Sequence, residues 1–134
     1  MGITEELQDL FIDSEKRYWF ILNKGKICCI DNNRKNLQYV DNNGIFIEKY
    51  GEICDIDGRG DSCWIVHKSG IVRCWNSQTN KFIRQEEQFA NQFRSGERVM
   101  LKVLPNGDFW LKWQDGVACY NIRKQQWHEI KGLN

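Results

Sequence analysis

Three segments of this chain line up on one another, and that repetition limits the fold more than any other feature. They read "DLFIDSEKRYWFILNKGKICCIDNNRKNLQYV", "DIDGRGDSCWIVHKSGIVRCWNSQTNKFI" and "LKVLPNGDFWLKWQDGVACYNIRKQQWHEI". Trp19, Trp64 and Trp110 fall 45 and 46 residues apart, and each is followed six residues later by a glycine, Gly25, Gly70 or Gly116. Cys29, Cys74 and Cys119 come next, followed by Ile30-Asp31, Trp75-Asn76 and Tyr120-Asn121. Leu37, Phe82 and Trp127 close the units, and the third copy is one residue shorter between its Gly and its Cys. We place the repeats at about 5–42, 50–84 and 98–131 of a single domain, 1–134.

Each unit reads as strands. "YWFIL", "CWIVH" and "FWLKW" are short, aromatic and β-branched, and turn residues bound them. "NKG", "KSG" and "QDG" sit where a hairpin turns, with Gly supplying a positive φ. "DSEKR", "DGRGD" and "PNGD" mark the turn before the Trp strand, and "NNRKN", "NSQTN" and "NIRKQ" the turn after the Cys strand. Four strands per unit follow. The linkers are "DNNGIFIEKYG" and "RQEEQFANQFRSGE", and a helical turn is expected in the second. The fold class is therefore all-β: about three four-stranded antiparallel β-propeller blades, a partial propeller. One blade cannot bury both of its faces, so the repeated Trp on each second strand is expected to pack against a neighbouring blade. Three blades leave two faces unpaired, which implies further blades in a parent chain or self-association.

The run "DGRGDSCWIVHKSGIVRCWN" resembles the two-component regulator propeller repeat, with weaker versions in the other two units. The kelch double glycine and the WD dipeptide of other propeller families are missing from this pattern. The resemblance covers most of the chain. It implies a β-propeller sensor domain of a hybrid two-component system, of a kind that senses polysaccharide breakdown products outside the cytoplasm. Such a parent carries more blades, a membrane span and a kinase. A periplasmic or extracytoplasmic location within a membrane-anchored parent is the expectation that follows, with the cytoplasm as the alternative. The alternative function is a protein–protein scaffold that self-associates to complete a propeller.

Composition narrows the partners. The 134 residues are 41% hydrophobic, enough for a packed core, and include six Trp. The 19 basic and 18 acidic side chains give a net charge of +1, no field for nucleic acid or an anionic membrane. No apolar run approaches the roughly 20 residues of a membrane span. "MGITEELQDL" is acidic and lacks the features of a signal peptide, and Glu6 stands where a myristoylation signal has Ser or Thr.

Several motifs invite chemistry. "DIDGRGD" begins like a calcium loop, but Arg59 occupies the fifth position and Val66 the twelfth, so no metal is expected. "RGDS" is an integrin-type tetrapeptide that neither of the other repeats shares, and it falls in a turn. Cys29, Cys74 and Cys119 read as small buried filler. Cys54 and Cys63 are the one pair that spacing allows for a disulfide. Cys63 and His67 share a strand face four residues apart, too far for direct proton transfer. With no acid pair, catalytic triad or phosphate-binding loop, the chain reads as a non-enzyme without cofactors. A carbohydrate-like ligand is expected on the face formed by the second-to-third-strand hairpins, where Lys24, His67, Lys68, Trp113 and Gln114 lie.

Overall fold

The structure, a computed structural model, describes residues 6–33 and 35–130. Met1 to Glu5, the start of the N-terminal stretch read above, lie outside the described residues, as do Arg34 of the "NNRKN" turn and residues 131–134.

The three repeats fold as three four-stranded antiparallel sheets, each a meander in chain order. Blade one holds β1 (Leu7–Ile12), β2 (Tyr18–Leu22), β3 (Ile27–Ile30) and β4 (Leu37–Asp41). Blade two holds β5 (Ile53–Arg59), β6 (Ser62–His67), β7 (Val72–Asn76) and β8 (Lys81–Glu86). Blade three holds β9 (Met100–Val103), β10 (Phe109–Trp113), β11 (Gly116–Asn121) and β12 (Gln126–Ile130). Strand β5 lies beside both β1 and β9, so the first strands gather at a common hub.

Repeated residues do repeated jobs. Trp19, Trp64 and Trp110 stand directly across from Cys29, Cys74 and Cys119 on the neighbouring strand. Because strand side chains alternate between faces, each Trp shares a face with its Cys. Trp19 and Cys29 join Cys63, Ile65 and Trp75 in a core between blades one and two. Trp64 and Cys74 join Phe109, Leu111 and Tyr120 between blades two and three. Rings meet across both seams, Trp19 with Trp75 at 5.3 Å and Trp64 with Phe109 at 4.5 Å. Trp110 and Cys119 face away from blade two and remain half-buried.

The third hairpin departs from the glycine expectation. Gly25 and Gly70 adopt φ of 80° and 92°, as a left-handed turn residue should. Gly116 instead lies within β11, paired with Trp113 across a two-residue turn. A Cβ there would come 2.7 Å from the Trp113 ring, so the glycine makes room for an indole. The missing residue of the third repeat is what moves this glycine into the strand.

The helix also falls in the other linker. Residues Ile45–Tyr50 form α1 between blades one and two, while the linker after blade two is built of turns. Asp41 fixes the start of α1: its carboxylate accepts N–H bonds from Asn43, Gly44 and Phe46 at 2.8–3.1 Å. Arg73 fixes its underside. The guanidinium lies 4.1, 4.5 and 3.6 Å from the ring centres of Phe46, Tyr50 and Phe82. Burial in this aromatic box pulls Arg73 down to about 10.

Candidate ligand cleft between blades

On the face of the β1–β2 and β3–β4 turns, blades one and two part to leave a cleft of about 520 Å³. That volume lies in the range of small-molecule sites. The wall from blade one carries Glu15, Arg17, Asp31, Asn32, Asn36 and Gln38, and the wall from blade two carries Gly60, Asp61, Ser77 and Gln78. Trp75 and Cys29 close the floor.

Its supports are built from the turns. Asp13, 3% exposed, accepts hydrogen bonds from Arg17 Nε at 2.7 Å and Trp19 Nε1 at 3.0 Å, and from the backbone of Glu15 and Arg17. Arg17 Nη1 donates to the Gly60 carbonyl at 2.6 Å, and the Gly60 N–H donates to Glu15 at 2.6 Å, so the two blades clasp each other. Asp31 accepts bonds from the Lys35 N–H and the Asn36 amide, and these hold its carboxyl below the usual range. Asp61 accepts from Gln78 at 3.2 Å and Ser77 at 3.4 Å. The cleft is thus lined by carboxylates and carboxamides, of which Glu15, Asp31, Asn36, Asp61 and Gln78 are held by hydrogen bonds, a set that hydrogen-bonds hydroxyl groups.

The "DIDGRGD" stretch has a structural job. Asp55 accepts the Leu101 N–H at 2.8 Å, and Asp57 accepts the Val103 N–H at 2.7 Å, both from blade three. Arg59 Nε donates to the Val103 carbonyl at 2.8 Å. The acids that looked like calcium ligands therefore hold strand β9, and the Arg and Gly of "RGDS" are tied into neighbouring blades. Cys54 and Cys63 are both free thiols, on opposite faces of blade two in different cores. Burial pushes Cys29 up to about 12 and Cys54 up to about 11, which keeps them as unreactive thiols.

The five residues expected on the hairpin face differ in exposure. Lys24 is exposed in blade one and Gln114 is exposed in blade three. Lys68 pairs with Glu52 at 2.9 Å and lines a second cleft, of about 430 Å³, near the hub. His67 and Trp113 are 0% and 6% exposed, so neither side chain is open to a ligand while its cover is in place. Trp113 packs on Phe89 at 4.7 Å, and His67 lies beside Tyr50 with Nδ1 2.8 Å from the Gly51 carbonyl. Linker α1 and the second linker supply these covers, and neither had a repeat to reveal it. Glu15, Arg17, Asn36 and Gln78 were missed because they sit in segments read only as turns. The signal was their density of carboxylates and carboxamides.

Buried His67 gives the fold a pH dependence. Burial pulls its imidazole down to about 4 from 6.5, reinforced by Arg73 and opposed by the Gly51 carbonyl. The unfolded chain therefore takes up this proton first. Stability from His67 is complete above pH 6.5 and is lost as pH falls toward 4, at up to about 1.4 kcal/mol per pH unit. Thermal midpoints between pH 7.5 and pH 4.5 should fall less in His67→Leu than in the native chain, Leu22 being the residue at this place in blade one. Equal slopes would mean that other groups carry the pH response.

Three blades packed Trp-on-blade around shared first strands define a β-propeller module. Comparison with solved structures agrees with this. The chain is similar to apo AztD from Citrobacter koseri, with a TM-score of 0.70 at 7% identity, over 98% of this chain and 36% of that one. It is similar to the extracellular domain of the hybrid two component system BT4673 from B. thetaiotaomicron, with a TM-score of 0.57 at 16% identity, over 97% of this chain and 20% of that one. The C-terminal WD40 domain of Sif2 matches with a TM-score of 0.52 at 17% identity, over 92% of this chain and 34% of that one. The chain therefore spans well under half the length of these structures. No protein-family model matches the sequence, and no curated protein matches it. Among the described residues no helix is long and apolar enough to cross a membrane.

Proposed function

We propose that this chain is a non-catalytic binding module, a set of blades from a sensor-type propeller that takes a carbohydrate-like ligand outside the cytoplasm for signal transduction. The observation that carries the reading is the cleft between blades one and two, with its fixed carboxylates and carboxamides. Hydroxyl-rich ligands are recognised by such a set, in which the carboxylates accept and the carboxamides both donate and accept. The likeness in fold to the extracellular domain of BT4673 supports the location. Lys24, Lys68 and Gln114 offer a second polar surface on the opposite face, with His67 and Trp113 beneath it. An interaction scaffold is the second reading, supported by the apolar residues left open on the outer faces, Leu10 and Ile12 on blade one and Trp110 and Val117 on blade three.

Amide chemical shifts during titration with a panel of neutral and acidic oligosaccharides test this. The expected shifts cluster at Asp31, Asn36, Asp61 and Gln78, and Gln78→Ala weakens binding about tenfold, the cost of one lost hydrogen bond of about 1.4 kcal/mol. Shifts confined to Lys68 and Gln114 would move the ligand to the other face. No shift with any oligosaccharide would reject the ligand-binding reading.

A further inference from the structure

We propose that two copies of this chain close into one six-bladed ring, the outer face of blade three in each copy packing on the outer face of blade one in the other. This rests on the scaffold reading, in which no further blade of a parent chain covers these two faces, and it needs no ligand.

The internal seams define what each outer face is made for. At both seams one blade presents a Trp and its cross-strand Cys, and the next blade presents apolar residues from the opposite strand face. The outer face of blade three carries the presenting set again: Trp110 across from Cys119, with Val117 beside them. Trp19 and Trp64 are 0% and 1% exposed at their seams, whereas Trp110 remains half-open.

The outer face of blade one carries the receiving set. Strand pairing sets Leu10 across from Phe20, and Ile12 across from Tyr18. In blade three the same places hold Leu101 across from Leu111, and Val103 across from Phe109, all buried under blade two. Leu10 and Ile12 are instead 43% and 54% exposed. Ile30 stands where Tyr120 receives Trp64 at 5.8 Å. Trp110 of one copy thus finds in Tyr18, Phe20 and Ile30 of another the surface that its siblings already occupy. Lys102, across from Trp110 where blade one has Phe11, is a cation whose amino group bonds Ser14 of its own chain, and Lys112 replaces the apolar Ile21 and Val66. The Lys112 amino group bonds the Trp113 carbonyl, which leaves its stem on the face.

Copy number follows from closure. A contact between two different faces builds either a ring or an open filament. Propellers close with about four to eight blades. Among multiples of three, only six lies in that range. The net charge of +1 opposes the pairing very little.

Sedimentation equilibrium of the 134-residue chain should give twice the chain mass, constant with rising concentration. Trp110→Glu spoils one face and Phe20→Glu the other, so each alone should sediment as a monomer. An equimolar mixture of the two retains one intact pair of faces and should recover a heterodimer. Val117→Glu serves in place of Trp110→Glu if that variant's circular dichroism shows misfolding. A native monomer at 100 μM would overturn the proposal and leave these faces to other blades or other proteins. A trimer, a mass growing with concentration, or a dimer that survives Trp110→Glu would overturn the ring.

Discussion

Replacing Asp13 by Ala is expected to lower stability by about 3–5 kcal/mol, the cost of removing one partner from a buried ion pair. Asp13 is 3% exposed, and its two oxygens receive four donors from three residues. Its loss strands the Arg17 cation, 9% exposed, in a site where Nη2 already lacks a partner. The Trp19 indole N–H is stranded with it. Asp13→Asn should retain the shape and lose almost as much, because it removes the charge and turns an amide donor toward other donors. The double variant Asp13→Ala, Arg17→Met removes both charges and should recover part of the loss. Urea unfolding followed by tryptophan fluorescence measures all three. A loss below about 1 kcal/mol for Asp13→Ala, the worth of a surface pair, would mean that this pair is not buried in solution.

Asp13 also shows where sequence reading stops. Blade strands were legible because period-two patterning and turn residues are local, and because three copies report the same answer. Trp19, Trp64 and Trp110 each lie opposite their Cys, as a strand–turn–strand reading of the repeat requires. The Trp packing between blades was legible from the repeat, but the polar contacts that join blades were not. Arg17 meets Gly60 and Ser14 meets Asp57 across 43 residues, where no local signal connects the partners. The cleft shares that origin, since each wall is an ordinary polar turn until the other blade stands opposite. Helix α1 escaped for a different reason. "IFIEKY" is too short and too β-branched to announce a helix, and it forms because the Asp41 carboxylate holds the N–H groups at its start and Arg73 holds its aromatic face.

Asp57→Ala is expected to cost about 3 kcal/mol and to loosen the coupling between blades, which is the more telling effect. Its carboxylate, 5% exposed, accepts the Ser14 N–H at 2.8 Å and the Ser14 hydroxyl at 2.9 Å from blade one. The other oxygen accepts the Val103 N–H at 2.7 Å from blade three. Repeat proteins are held by nearest-neighbour contacts, so blades one and three would ordinarily know of each other only through blade two. One side chain here bonds to both. Alanine leaves two backbone N–H groups without their acceptor, each worth about 1–3 kcal/mol. Asp57→Asn keeps one acceptor oxygen and should lose about half as much. Native-state hydrogen exchange measures the result site by site. In Asp57→Ala the amides of Ser14 and Val103 should lose protection first, and the urea transition should broaden as the outer blades unfold less cooperatively. Unchanged protection at Val103, with a transition as sharp as that of the native chain, would show that apolar packing at the Trp64 seam couples the blades without Asp57.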